Sequence, residues 1–392
     1  MTWLVVAPQP FFTPRGTPLS VYYRTLVTAE QGVKIDLLTY GPGQDVDIPG
    51  VRIIRIPRLR ALEPVPVGPS WQKLLLDLFL ILWTIGLLTR HRYRVVHAHE
   101  EAVFWCRVLK PLFGFRLIYD MHSCLSQQLE SFRFSSSRLL IGAFQALERS
   151  GLRAANVVIT ICPDLRDHVM KLGVDAERHL LIENSVFGDV RLRAPAGGSC
   201  ATADSVSVPF ERGHPLILYA GTFEPYQGVE VLVEAFARVR TERPDARLLL
   251  VGGSDPQIRS LRALADSLGL GDTVLLTGRV AKSTVALYTQ AASVLVSPRL
   301  HGSNTPLKIY EQIASGRTLV ATRVRSHTQV LDETVCCLVD PDPAALAGGL
   351  LEVLNDPRRA EALARNASSY YQREYSRPIY EGKVRRLLDL VR

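Results

Sequence analysis

The residues best able to do chemistry lie in the stretch Ser297–Gly316 (SPRLHGSNTPLKIYEQIASG). Thr305 reads as a helix N-cap, and Pro306 sits where proline is favoured, at the first helical position. Gly316 suits the C-terminal stop. A loop therefore feeds a helix of about three turns, and Gly302 allows the backbone to approach a ligand closely. A helix start of this kind presents free N–H groups and the positive end of the helix dipole, and both suit a phosphate. Lys308 adds a full positive charge in the first turn. A lysine there is unfavourable against the dipole, which points to an anionic partner. Glu311 shares a face with Leu307 and Lys308. Its carboxylate could accept two hydrogen bonds from a ribose diol, as acidic residues do in dinucleotide sites. The competing reading is a Lys308–Glu311 surface pair on an ordinary capped helix.

Other polar residues stand at positions that also bear on chemistry. His122 lies just past a predicted strand end, where ligands of parallel sheets bind. His327 lies just past the strand 318–322 and by the same logic could face a ligand. His97 and His99, followed by Glu100 and Glu101, would share a strand face. Without a third ligand they read as acceptor-side or structural residues, and no metal site is assigned. Asp45 and Asp47, and Asp340 and Asp342, sit in glycine- and proline-rich sequence and read as turns. The six cysteines, Cys106, Cys124, Cys162, Cys200, Cys336 and Cys337, form no CxxC pair, so neither a zinc motif nor a disulfide framework is read from them. A reduced, cytoplasmic setting fits.

The elements that must position these residues follow a repeated plan. With 392 residues, 47% apolar and 21% charged, the chain is long enough for two globular domains. The first half opens with a buried strand, Trp3–Ala7, and continues with a helix from about Leu19 to Glu30. Further strands follow at 34–39, 94–97, 116–119 and 157–160. The second half places strands at 215–219, 246–251, 273–276, 294–297 and 318–321, with helical patterns between them. Such alternation predicts two α/β units with parallel sheets. Residues 1–190 form the first domain, 191–213 a polar linker, 214–375 the second domain and 376–392 a final helix. The N-terminus lacks a basic start and reads as a strand, not a signal peptide. The net charge of +8 suits a phosphorylated ligand or an anionic membrane. No nucleic-acid-reading module is present, and no nucleic acid is expected as a partner. The run 74–88 is nearly all apolar, with Asp77 inside it, Lys73 before it and Arg90, His91 and Arg92 after it. At that length it reads either as a helix buried against the first sheet or as one lying in a membrane interface.

The segment 299–322 resembles the donor-binding signature of the retaining glycosyltransferases of family 4, which have the GT-B fold. That family carries two glutamates separated by seven residues. Glu311 matches the second, and Ser303 stands where the first would be. The run Gly302–Lys308 is similar to a variant loop of some members. Ala220–Gly228 resembles the glycine-rich loop opening the second domain, with Thr222 and Gln227 where an arginine and a lysine usually hold the diphosphate. Lys308, Arg299 or Arg279 would then compensate. Thr277–Val280 matches the segment that meets the base. Pro14–Pro18 matches the loop approaching the donor phosphate, Tyr119–Ser123 the region with a histidine near the reacting sugar, here His122, and Ile182–Ser185 the turn closing the first domain.

The resemblance implies an α/β protein of GT-B type, with two Rossmann-like domains facing across a cleft and the C-terminal helix packing back on the first. It implies metal-independent hexosyl transfer, with retention, from a nucleoside diphosphate sugar serving as co-substrate. The acceptor would be a glycan, a lipid-linked sugar or a small molecule. No cofactor is expected. His122, Lys308 and Glu311 would be catalytic. Gly16, Thr17, Gly221, Thr222, Gln227, Arg279, Val280, Arg299, Ser303, Asn304, Thr305, Pro306 and Leu307 would bind the donor. Peripheral contact of 73–92 with the inner face of the cell membrane fits the basic flanks. Two alternatives stand beside this reading: a sugar-nucleotide epimerase, and a catalytically silent sugar-nucleotide-binding partner.

Overall fold

The structure is a computed structural model that describes residues 2–13, 16–66, 70–124, 138–185, 187, 190 and 213–392, with backbone alone at 138–141. The linker expected at 191–213 lies outside these residues except for Gly213, as do Pro14 and Arg15. The chain divides into two compact units, Met1–Ser199 with Arg377–Arg392, and Cys200–Ser376.

The first unit holds seven parallel strands: β1 (Thr2–Ala7), β2 (Lys34–Thr39), β3 (Val51–Arg55), β4 (Val95–His99), β5 (Arg116–Met121), β6 (Val157–Thr160) and β7 (His179–Leu181). Their order is β3-β2-β1-β4-β5-β6-β7. The sequence reversal between β1 and β4 leaves a crevice beyond their carboxyl ends. Alternating residues explain why β1 is apolar throughout. Leu4 and Val6 enter one core with Leu76, Leu80 and Leu109, whereas Trp3, Val5 and Ala7 enter the other with Val21 and Leu387. Helices α1 (Gly16–Glu30), α2 (Trp71–Arg90), α3 (Val103–Phe113), α4 (Arg138–Ala154) and α5 (Pro163–Lys171) make the crossovers. The C-terminal helix Arg377–Leu390 buries Tyr380, Val384, Leu387 and Leu388 in the core beside α1, and Arg377 pairs with Glu30 at 2.6 Å.

The second unit has six parallel strands: β8 (Leu216–Ala220), β9 (Arg247–Val251), β10 (Val274–Gly278), β11 (Val294–Ser297), β12 (Thr318–Thr322) and β13 (Cys337–Val339). The order β10-β9-β8-β11-β12-β13 puts its switch point between β8 and β11. Its helices are α6 (Val229–Glu242), α7 (Asp255–Ser267), α8 (Lys282–Ala291), α9 (Leu307–Ala314), α10 (Arg325–Thr328), α11 (Pro343–Asn355) and α12 (Pro357–Glu374). Three strands escaped the sequence reading for local reasons. β3 is a partly exposed edge strand interrupted by Arg52, and β7 and β13 have three residues each.

Helix α2 corrects the choice posed by the apolar run. It is longer than expected, at 20 residues, and neither fully buried nor fully exposed. Leu76, Leu80, Thr84 and Leu88 face the core, while Trp71, Leu74, Leu75, Leu78 and Leu82 are exposed. Asp77 lies on the buried face because Tyr40 donates a hydrogen bond to its carboxylate at 2.5 Å. By length and composition α2 is apolar enough to cross a membrane, and it is the one such helix among the described residues.

Candidate functional site

At the switch point of the second unit, three loops converge because glycines remove the side chains that would separate them. A Cβ on Gly228, which has φ 69°, would lie 2.0 Å from the Pro298 carbonyl oxygen. A Cβ on Gly252, with φ 125°, would lie 1.9 Å from that of Gly221. The loops after β8, β9 and β11 therefore touch backbone to backbone. Into this convergence helix α9 delivers Lys308. The apolar residues Ile309, Tyr310 and Ile313 fasten α9 to the core, and Gly316, with φ 69°, ends it in a left-handed turn.

Lys308 Nζ donates to Gln227 Oε1 at 3.2 Å and stands 4.3 Å from the Tyr219 ring centroid. No carboxylate among the described residues is within ion-pair reach of it. Burial, and then the neighbouring Arg299, bring its pKa down to about 7. Arg299 stacks over Tyr226 at 5.2 Å and donates to the His301 carbonyl at 2.8 Å. The Thr305 hydroxyl is buried and has no hydrogen-bond partner among the described residues.

Several expectations change. Pro306 takes the N-cap position and the helix starts at Leu307, because Pro306 keeps an extended ψ of 136° and Thr305 makes no capping bond. Lys308 and Glu311 do not pair. Glu311 is 45% exposed and faces Lys282 at 3.6 Å, and the partial loss of water around its carboxyl raises its pKa against that lysine. Gly302, with φ 141°, makes room for the Arg299 guanidinium, since an added Cβ would lie 2.4 Å from it. His327 does not face a ligand: it is fully buried, joining Ser297 Oγ at 3.0 Å to the Thr322 carbonyl at 2.8 Å.

The remaining donor candidates divide. Thr222 offers its carbonyl to the Tyr219 hydroxyl at 2.6 Å, and Gly221 lies beside Lys308. The Ser303 carbonyl accepts from Gln329 at 2.6 Å, and the Asn304 carbonyl from Arg299 at 3.4 Å. These residues surround the start of α9 with Pro306 and Leu307. Arg279 is exposed past the edge strand β10, which β9 separates from β8. Val280 packs against a core cluster. Gly16 and Thr17 form the first turn of α1 in the first unit.

The carboxyl ends of β4 and β5 carry a second polar centre, in the first unit. His97 and His99 stack with ring centroids 4.5 Å apart. Asp120, which the sequence places in the Tyr119–Ser123 segment without a role of its own, supplies the missing third group: it meets His97 Nε2 at 3.0 Å, His99 Nδ1 at 3.5 Å and His122 Nε2 at 3.3 Å. His122 also contacts His99 at 3.0 Å. It is buried with only 3% exposed, and burial lowers its pKa to about 4, so its imidazole is neutral. Arg24 of α1 stands 3.6 Å from Asp120 and is 1% exposed. Burial favours the neutral acid, yet Arg24 and then His122 and His99 hold Asp120 well below the usual carboxylate range. Arg24 also donates to the Ile182 carbonyl at 3.0 Å, and Ser20 to Asn184 at 2.5 Å, tying the closing turn to α1. Nearby, Glu100 has φ 50° and accepts from Ser123 at 2.9 Å. Burial and then Glu101 raise its pKa to about 8, and that of Asp77 to about 7. Arg24, interrupting buried aliphatic and aromatic residues in α1, and Asp120, inside an apolar strand, were the signals available in the sequence.

Two parallel-sheet Rossmann-like units with polar groups at their switch points define a GT-B glycosyltransferase. Residues 24–185 match the family model described as glycosyl transferase 4-like domain, and 214–356 the one described as glycosyl transferases group 1. The chain belongs to glycosyltransferase family 4. It is 28% identical over 374 residues to the D-inositol 3-phosphate glycosyltransferase of Xylanimonas cellulosilytica, covering 88% of this chain and 84% of that protein. It is 26% identical over 390 residues to the namesake enzyme of Acidothermus cellulolyticus, covering 91% and 82%. Sucrose-phosphate synthase from Thermosynechococcus elongatus has the same fold, with TM-score 0.76, 22% identity and coverage of 99% and 98%. So does Anabaena HepE in complex with UDP, with TM-score 0.70, 14% identity and coverage of 99% of each chain.

The buried centre makes a stability prediction. Asp120→Asn leaves the Arg24 guanidinium without its counter-charge, and urea unfolding of this variant should show a loss of about 3–5 kcal/mol. A loss under about 1 kcal/mol would mean that Arg24 does not depend on Asp120.

Proposed function

We propose that this glycosyltransferase moves a hexosyl group from a nucleoside diphosphate sugar to a glycan, lipid-linked or small-molecule acceptor, with retention and without a metal ion in the transfer step. The observation that carries the reading is the Lys308 ammonium, half-buried at the start of α9 with no carboxylate in reach among the described residues. An anion is the partner it lacks. The diphosphate supplies that charge and also engages the first N–H groups of α9. As the leaving group departs, its growing negative charge is stabilised by the same ammonium and helix start. In this reading Glu311 accepts from the ribose hydroxyls, and the buried Thr305 hydroxyl hydrogen-bonds the donor. His122, neutral at physiological pH, hydrogen-bonds the sugar.

The same observation favours an enzyme over a silent binding partner. Gln227 lacks the charge that family members place there, but Lys308 Nζ reaches its side-chain oxygen at 3.2 Å. The cation is retained and comes from another element. The relatives named for D-inositol 3-phosphate support a small phosphorylated acceptor among the possibilities. Peripheral membrane contact, proposed here with a cytoplasmic location, is supported by the exposed face of α2, together with Val108 and Leu112 of α3 and the flanking Arg90 and Arg92.

Calorimetric titration with UDP and GDP at several pH values tests the donor reading. Bound diphosphate favours the charged amine and raises its pKa. Affinity should therefore be full below pH 7 and weaken by about tenfold as pH rises from 7 to 9, a range in which the terminal phosphate is already ionised. Lys308→Arg, charged throughout, should remove this dependence, and Glu311→Ala should weaken binding by about tenfold at every pH. A native affinity that does not change with pH, or a Glu311→Ala variant that binds as the native chain does, contradicts the corresponding assignment. Sedimentation with vesicles tests the membrane reading: the chain should bind anionic vesicles at low salt, and Leu78→Glu with Leu82→Glu should abolish binding while UDP affinity is kept. No sedimentation of the native chain refutes it.

A further inference from the structure

Three side chains in the first unit converge on one point away from the groups assigned to the transfer reaction, with Cys124 reaching it from the edge of the core. Cys124 follows β5, Glu148 lies on α4 and His168 on α5. Their donor atoms all lie within 4.8 Å of one another. His168 Nε2 is 2.7 Å from Glu148 Oε1 and 3.6 Å from Cys124 Sγ, and the thiol is 3.9 Å from the same carboxylate oxygen. The Cys124 and Glu148 side chains are buried, and His168 is 27% exposed. The second carboxylate oxygen, Glu148 Oε2, is buried without a hydrogen-bond partner among the described residues.

This is not the geometry of a nucleophile, base and orienting acid. A relay uses the two ring nitrogens, one for each neighbour. Here both neighbours face Nε2, which has a single proton or a single lone pair to offer. A cation at the shared point satisfies all three donors at once. With Zn–S of about 2.3 Å and Zn–N of about 2.0 Å, a tetrahedral ion sets an S–N edge of about 3.5 Å, close to that observed. The N–O edge must widen by roughly 0.6 Å. A thiolate in the set selects zinc over magnesium or calcium.

The other three-donor cluster of the unit provides a contrast. His97, His99 and Asp120 already have the Arg24 guanidinium 3.6 Å from the carboxylate, so a resident cation does the work of a metal there. Among the described residues, no lysine or arginine pairs with Glu148.

We propose that Cys124, Glu148 and His168 bind a zinc ion, with water completing the coordination on the exposed flank of His168. On binding, the metal displaces one proton from the thiol and one from the protonated imidazole, and both leave to solvent. The ion ties the segment after β5, two residues beyond His122, to α4 and α5. Its role is to hold that segment in place, separate from the transfer step.

The test uses the tag-free full chain, stripped with chelator and dialysed against cobalt(II) or zinc(II). Elemental analysis should find one zinc per chain, and the cobalt form should show a thiolate-to-cobalt charge-transfer band. Cys124→Ser should remove the band, and His168→Gln should weaken zinc binding at least tenfold. No stoichiometric metal, or no thiolate band in the native chain, overturns the proposal whether or not the variants fold. A band that survives Cys124→Ser assigns the metal to another thiol and overturns it equally.

Discussion

An ammonium group that no carboxylate among the described residues neutralises is the constraint around which the second unit is arranged. Lys308 is partly shielded from water by the Tyr219 ring and Gln227, and Arg299 adds a like charge nearby. In an ordinary surface helix a lysine in the first turn would swing to solvent or pair with an acid. Here Glu311 is occupied by Lys282. The glycines at 228 and 252 hold the loops so close that the amine has only polar oxygen and aromatic faces to meet. A site of this kind is costly while empty and favourable once an anion fills it.

The first unit handles buried charge in the opposite way. Asp120 is ringed by Arg24 and three histidines, and its charge is balanced inside the protein. The contrast follows from the sheet. Parallel strands buried on both faces deliver side chains to their carboxyl ends, where the helix dipoles and the switch point leave room for polar groups. In one unit that room is filled by an internally compensated network. In the other, a cation is left over. The glycosyltransferase family 4 assignment, from matches to both units, agrees with a fold that separates these two tasks.

The parallel α/β plan was legible in the sequence because long apolar strands alternate with helices of clear period. Trp3–Ala7 and Val157–Thr160 were placed within a residue of their observed bounds. Short or half-exposed strands such as Val51–Arg55 and Cys337–Val339 were not, since few residues carry their pattern. The segment Ser297–Gly316 was recognised, and Lys308 was singled out because it opposes the helix dipole. Its actual partners could not be read, because Gln227 and Tyr219 are brought to it by tertiary packing. For His327 the strand-end position identifies a location, while the hydrogen bonds to Ser297 and Thr322 decide which way the ring turns. Arg24 and Glu148 carry no local motif, and Asp120 lies in a segment, Tyr119–Ser123, noted for its histidine. Their meaning lies in contacts between residues 20 to nearly 100 positions apart, as in Arg24–Asp120 and Glu148–His168.

The central claim, that the start of α9 is a diphosphate site, is tested most directly by comparing three ligands that differ only in phosphate number. Equilibrium binding of uridine, UMP and UDP to the native chain, with the guanosine series alongside, separates the contribution of the base from that of the charge. The account predicts that affinity climbs steeply at the second phosphate and is nearly lost in the nucleoside. Equal affinity across a series, or none for any diphosphate, would contradict it.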